Sequence, residues 1–352
     1  MVQFWKKAAV LTAAGVLAAM SVTGCSGSID TDAVVATVGD EDITLGVANF
    51  YARMMQGQYE TYYAGMMGTT AEEMWAQDAG DDKTYEESMK DSILENLENM
   101  YIISQHAADY EVSLSEDEQK AIEDAAEKFS EDNTEEAKEI VSGYQKHIEK
   151  FLELSTIQNK MDSKMREGVD EEVSDEEAAQ KSMQYVYFSY TTTDDTGNST
   201  ELTDEEKENL KTSAQSLADR VKNGEDLETV AGELGVEVQT ATFDSESTTP
   251  NENLVTAADA LAAEGDVTDV VETDSGLYVA KLTSLLDREA TDQEKTNIIE
   301  QRKQDQYDSL LEEWRDAADI QVNEKIWKKV DFDDIGVTII TSEEETSGDG
   351  AT

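Results

Sequence analysis

The amino-acid sequence predicts an α+β fold, in which one small sheet domain stands between two helix-rich flanks. Three observations point there. Residues 183–286 switch repeatedly between a two-residue and a 3.6-residue hydrophobic period, so strands and helices alternate within about 105 positions. The stretches on either side carry long helical patterns and little strand signal. The chain has 352 residues and is 38% hydrophobic, enough apolar material for two cores.

Within the central stretch, MQYVYFSY (183–190) puts Tyr185 and Tyr187 on one face and Val186 and Phe188 on the other, as a strand does. A turn is expected at 194–197. Thr203 and Glu206 then form a capping box for a helix that ends near Asn223-Gly224, because the threonine accepts from the N3 amide and glycine relaxes the exit. Leu227, Val230, Ala231 and Leu234 mark a second helix, stopped by Gly235. Val236–Phe243 reads as a strand and Leu254–Leu261 as a short helix. Val267–Thr273 and Leu277–Leu286 read as two strands joined through Asp274-Ser275-Gly276. The order is β-α-α-β-α-β-β.

At the start of the chain, Lys6 and Lys7 precede a 13-residue apolar run, Ala8–Met20, and Val22-Thr23-Gly24-Cys25 follows it with small residues before a cysteine. A spanning helix needs about 20 residues, so residues 1–24 are read as a targeting segment. This segment resembles a bacterial lipoprotein signal, in which the cysteine is lipidated and becomes the first residue of the mature chain. That resemblance implies a lipid anchor on Cys25, a membrane location on the extracytoplasmic face, and a polar tether over 25–33. Two or more acyl chains, at about 0.8 kcal/mol per buried methylene, hold a protein stably on a bilayer. Cys25 is the only cysteine, so no disulfide is expected.

Charge excludes one class of partner outright. The net charge is −53, and removing residues 1–24 takes away two lysines and no acid, leaving −55. Nucleic acid is not a partner, since phosphate binding requires clusters of Lys and Arg. The acidity keeps the surface solvated and would attract basic clients.

Val34–Thr44 reads as a hairpin turning at Gly39-Asp40. Leu45–Gly68 reads as a helix with a broad apolar face, on which Met54, Met55, Tyr62 and Met66 are candidate peptide-binding residues, because thioethers and phenols repack around varied partners. Ordinary core packing is the competing role for the same side chains. Met74–Lys83 is expected to be a polar connection, and Tyr85–Tyr110 a strong helix. Ser115 with Glu118 caps the next helix, and another runs from about Thr134 to Arg166 with a break at Gly143. Ser174 with Glu177 is expected to cap a short helix.

His106 and His147 are the only histidines, and neither sits in an HExxH pattern or beside paired cysteines. They are read as surface or packing residues. The acidic clusters at 130–136 and 170–177 lack the spacing of a calcium loop. No nucleotide motif is present, so no metal and no cofactor is expected. Beyond the central domain, Thr291–Ala317 reads as one long helix anchored by Ile298, Ile299, Leu310, Leu311 and Trp314. Asp319–Val322 follows as a strand, then Lys325–Val330 with Trp327. Residues 332–352 are read as an acidic tail, disordered over 342–352.

The order of elements, and the phrases NGEDLETVA and LVTAADALAAEGDVTDVVETDSGLYVAKL, resemble the parvulin family of peptidyl-prolyl isomerases. The resemblance covers about 105 residues and rests on order and spacing. Parvulins carry a histidine in the first strand and another in the last, beside a Cys or Asp, and grip the proline ring with a Met and a Phe. The matching positions here hold Tyr185, Tyr278, Pro250 and Leu254. The family's Gly-Gly motif before the middle strand is also missing. Rotation about a peptide bond needs no nucleophile, only a pocket favouring the twisted amide, so these losses do not by themselves abolish activity.

The opening hairpin, placed just after the tether, resembles the PrsA and SurA group of extracytoplasmic chaperones. In that group the segment after the isomerase module returns to complete the N-terminal helical domain. The resemblance therefore implies a discontinuous chaperone domain, residues 34–177 and 288–331, with a parvulin-like domain inserted at 178–287. It further implies a holding or folding function on unfolded, newly exported proteins, and leaves a homodimer open. An active isomerase is the first alternative. A solute-binding lipoprotein is the second, which the absence of long alternating βα units disfavours.

Overall fold

In the computed structural model, residues 19–23, 29–193, 197–332 and 335–339 are described. Cys25, most of the targeting segment, part of the turn expected at 194–197, and residues 340–352 lie outside them. The chain forms two compact units, one of residues 1–168 with 304–352 and one of residues 169–303.

In the larger unit, β1 (Met20–Thr23) comes first, then the hairpin β2 (Val34–Val38) and β3 (Glu41–Thr44). Thr44 caps α1 (Leu45–Gln58) by accepting from the Val47 amide. The helix runs on through a π turn, Tyr59–Tyr63, to a last turn at Ala64–Met67. Then come α2 (Ala71–Trp75), α3 (Tyr85–His106), α4 (Glu116–Asp132), α5 (Glu135–Val141) and α6 (Gln145–Met165). Thr70, Thr84 and Ser115 each close a capping box with the glutamate three residues on.

The stretch read as a polar connection is not one throughout. Met74 and Trp75 are fully buried, and Trp75 donates through its indole nitrogen to Glu60 at 2.9 Å, so α2 is part of the core. The rest of the stretch, 76–83, is exposed and includes the hairpin of 78–80 with 83–84. After Ser174 the chain makes a turn and no helix, although the Glu177 amide does donate to the Ser174 hydroxyl at 3.1 Å. One turn lacks the length to propagate helix hydrogen bonds.

The smaller unit contains β4 (Lys181–Ser189), α7 (Asp204–Lys222), α8 (Leu227–Leu234), β5 (Val238–Phe243), α9 (Glu252–Asp259), β6 (Val271–Glu272) and β7 (Gly276–Ser284). The sheet order is β6-β7-β4-β5, antiparallel throughout. The strand expected over 267–273 shrinks to β6, with a single bridge from Val267 to Lys281. The Thr268 side chain explains the break: its hydroxyl accepts from the Ala280 amide, taking a place the backbone ladder would fill.

Helix α10 (Arg288–Ala317) has residues in both units. Its first half ion-pairs with the linker that opens the smaller unit, through Arg288 to Asp175 and Arg302 to Glu177, each at 2.6 Å. Leu310, Leu311 and Trp314 pack in the larger unit against Ile103, Ala107, Met161 and Met165. The His106 ring stacks on Trp314 with centroids 4.2 Å apart. β8 (Ile320–Val322) then pairs with β2, giving the sheet order β8-β2-β3. α11 (Glu324–Trp327) buries Trp327, and β9 (Gly336–Ile339) pairs antiparallel with β1. The fold is α+β, with a mainly helical unit made from both ends of the chain and a sheet unit between them.

Two of these strands differ from the sequence reading. Residues 336–339 fall in the stretch taken as an acidic tail, and Met20–Thr23 in the stretch taken as the end of the targeting segment. Ile335, Val337 and Ile339 alternate as a half-buried strand should, and their burial outweighs the acidic residues around them.

Candidate functional site: an aromatic face on the smaller sheet

The sheet of the smaller unit is covered on both faces. Val186, Phe188, Leu277 and Val279 pack against α7 and α8. Met183, Tyr185, Phe243, Tyr278, Ala280 and Leu282 point the other way, where α9 supplies Leu254, Val255 and Ala258. The two-residue period of β4 separates these sets, and it places Tyr185 and Tyr187 on the α9 side together.

Register brings the third tyrosine to them. Tyr278 on β7 stands opposite Tyr187, and Tyr185 stands opposite Ala280, so Tyr278 is directly across from one tyrosine and diagonal to the other. The Tyr187 and Tyr278 rings stack at 4.5 Å, and the Tyr185 and Tyr278 rings lie 6.2 Å apart, tilted by 46°. Tyr185 donates to Gln239 Oε1 at 2.5 Å, across the β4–β5 pairing, and Tyr187 donates to the Ser275 carbonyl at 2.6 Å. Burial raises the phenol pKa of Tyr185; at Tyr278 burial, then the neighbouring Tyr187 and Tyr185, do the same. The Tyr185 and Tyr278 hydroxyls are therefore neutral hydrogen-bond donors at ordinary pH, and neither is a general base.

Of the predicted site residues, the structure brings Tyr185, Tyr278 and Leu254 into one cluster. Leu254 is completely buried and forms the floor beneath the rings rather than a surface contact. Pro250 is half-buried in the turn before α9, and its peptide bond with Thr249 is cis. In the larger unit Met54 is buried and Met55 half-buried against the core. Tyr62 is half exposed and Met66 is 83% exposed, so the face read along α1 divides into a core part and an open part at its end. Sequence reasoning placed Tyr187 on the right face but gave it no role, and gave none to Gln239. The first was visible in the period; the second depends on the β4–β5 register, which no local pattern specifies.

Residues 190–284 match the family model described as Rotamase, the PPIC-type PPIase domain. The chain carries a domain of that type there. The match takes in Tyr278, Pro250 and Leu254 and begins just after Tyr185. No curated protein matches the chain. Among solved structures, the chain is similar to the foldase protein PrsA from Streptococcus pneumoniae, at 20% identity over 72% of this chain and 97% of that one, with a TM-score of 0.30. It is similar to PrsA from Lactococcus lactis at 14% identity, over 85% and 97%, with a TM-score of 0.35. It is also similar to a structure from the study of PEB4 and Cj1289, two SurA-like chaperones of Campylobacter jejuni, at 12% identity, over 83% and 99%, with a TM-score of 0.28.

No helix among the described residues is long and apolar enough to cross a membrane, and none of their His, Cys, Asp and Glu side chains group as a metal site.

Proposed function

We propose that this chain is a lipid-anchored extracytoplasmic chaperone for newly exported proteins, with a PpiC-type domain that has lost the family's histidine pair. The observation that carries the reading is the tyrosine cluster at the sheet positions the resemblance assigns to those histidines, Tyr278 within residues 190–284 that the family model matches and Tyr185 just before them. The Tyr185 hydroxyl is engaged by Gln239 and that of Tyr187 by a backbone carbonyl, and Leu254 is sunk in the core, so the face is built for packing and stacking more than for twisting an amide. The larger unit and this face would act together as weak, multiple contacts to unfolded chains, which release because no single contact is tight.

The anchor is the acylated Cys25, following the lysine pair, apolar run and small residues that precede it. Labelled fatty acid incorporated into the wild type and absent from Cys25→Ala would support that part. For the rest, the soluble chain starting after Cys25 is assayed on Xaa-Pro peptides without a coupling protease, beside Tyr185→Phe and Tyr278→Phe. The expected result is no acceleration in a preparation that still suppresses aggregation of an unfolded client. Acceleration that falls with either substitution would instead establish an active isomerase. That second reading draws on the half-buried ring of Tyr187, stacked on Tyr278, as a surface on which a proline ring can lie.

A further inference from the structure

The pair β1–β9 has an unusual asymmetry in what holds it. On one side of β9, the Val337 amide donates to Glu60 Oε2 and the Ile339 amide to Thr61 Oγ1, each at 2.8 Å, so that edge is permanently closed by α1's continuation. On the other side, Gly336 and Thr338 face Thr23 and Ser21 of β1. Met20 is buried with Phe50, Met54, Phe129 and Val337, and its methyl group reaches over Gly57. The Met20 amide donates to Asn133 Oδ1 at 2.8 Å, and Asn133 is itself buried and held by the Phe129 carbonyl. Val22 packs half-buried two residues on. The slot thus has a pocket for one apolar side chain, a shelf for a second at the i+2 position, a buried acceptor for a backbone amide, and a free strand edge.

Residues 20–23 precede Cys25. If the chain is processed as proposed above, on which this inference rests, the mature protein keeps the slot and loses its occupant. We propose that this slot binds an extended, apolar segment of an unfolded exported protein, which pairs with the open edge of β9 where residues 20–23 lie in the unprocessed chain. Main-chain pairing makes the site tolerant of sequence, while the Met20 pocket demands an uncharged, unbranched or aromatic side chain. The unprocessed chain fills its own slot and is closed to clients until its leader is removed.

The test compares two proteins, one starting at Ser26 and one starting at Ala18, using a fluorescein-labelled peptide of residues 18–24 as probe. The Ser26 form is expected to bind the probe, the Ala18 form at least tenfold more weakly, and a probe carrying Met20→Asp at least tenfold more weakly to either. Reduced, unfolded lactalbumin should displace the probe. Amide exchange at Gly336 and Thr338 should slow on binding, while Val337 and Ile339 stay protected throughout. If the Ser26 form does not fold, Met20→Asp in the Ala18 form opens the slot within an intact chain and should gain probe binding. Equal binding by the folded Ser26 and Ala18 forms, no binding by either opened form, or an edge-to-edge dimer that excludes the probe would overturn the proposal. The intact mass of the protein from membranes separates the two readings: a mature chain that retains residues 20–23 overturns both, whereas one beginning at an acylated Cys25 without probe binding overturns this one alone.

Discussion

The guanidinium of Arg53 lies 5.7 Å from the ring centre of Phe332, joining the first long helix to a segment near the far end of the chain. Arg53 is 2% exposed. It donates to Gln56 Oε1 at 2.6 Å and to Asn49 Oδ1 at 3.3 Å, and Gln56 donates onward to the carbonyls of Phe332 and Ile335. Burial draws its pKa down to about 10, against the opposing pull of Asp331, Glu60 and Glu86.

Arg53→Leu should therefore cost more than its lost packing. It leaves two buried acceptors short of a donor and removes the cation that balances three carboxylates, for which about 3 kcal/mol is expected. Urea unfolding should show the loss; a change below about 0.5 kcal/mol, the size of an ordinary surface substitution, would mean the network is incidental.

Gly46 and His147 make a second pair that can be tested as a cycle. A Cβ at Gly46 would come within 2.1 Å of the His147 ring. Gly46→Ala should destabilise by about 1–3 kcal/mol, and by much less in a His147→Ala background, because the overpacking has then gone. Additive losses would place the effect in the helix rather than in the ring.

The same histidine sets a pH dependence. Burial, and to a lesser extent Lys146, lower its pKa from 6.5 to about 4, while Asp32 opposes them. The unfolded chain takes up the proton first as pH falls, so this contribution is complete above about pH 6.5 and is lost between there and about pH 4. The difference is on the order of 2–3 kcal/mol. His147→Gln should flatten the stability profile across that window, read from thermal unfolding at a series of pH values.

In the smaller unit, Leu254→Ala removes a completely buried side chain and should cost about 3 kcal/mol. Tyr278→Phe keeps the ring stacked on Tyr187 and should cost under about 1 kcal/mol. The pair separates the floor of the aromatic face from its surface. Comparable losses would show that the Tyr278 hydroxyl is structural.

Much of this fold is written locally. Ser115 with Glu118 and Thr203 with Glu206 announce helix starts that the structure places at the next residue, and the alternation through β4 sorts its side chains between two cores. What escaped is non-local or outvoted. Trp75 sits among acidic and small residues, and its burial depends on Tyr59, Tyr85 and Phe332 arriving from three other segments. Gln239 meets Tyr185 only through strand register. The β1–β9 pair joins two segments whose composition suggests a leader and a tail, and only their mutual burial makes strands of them. At the site, the alternation of β4 put Tyr185 and Tyr187 on one face, but Leu254 as floor and Tyr187 as stacking partner required the sheet.

The placing of β2 between β3 and β8 has a consequence in time. Made amino terminus first, the chain can close the β2–β3 hairpin at once, yet the other edge of β2 must wait for Ile320–Val322, about 280 residues on. Residues 169–303 form a complete unit well before that. A bare strand edge beside an unfinished apolar core therefore stands open until Ile320–Val322 arrives, and the half-made chain is most prone to wrong pairing in that interval.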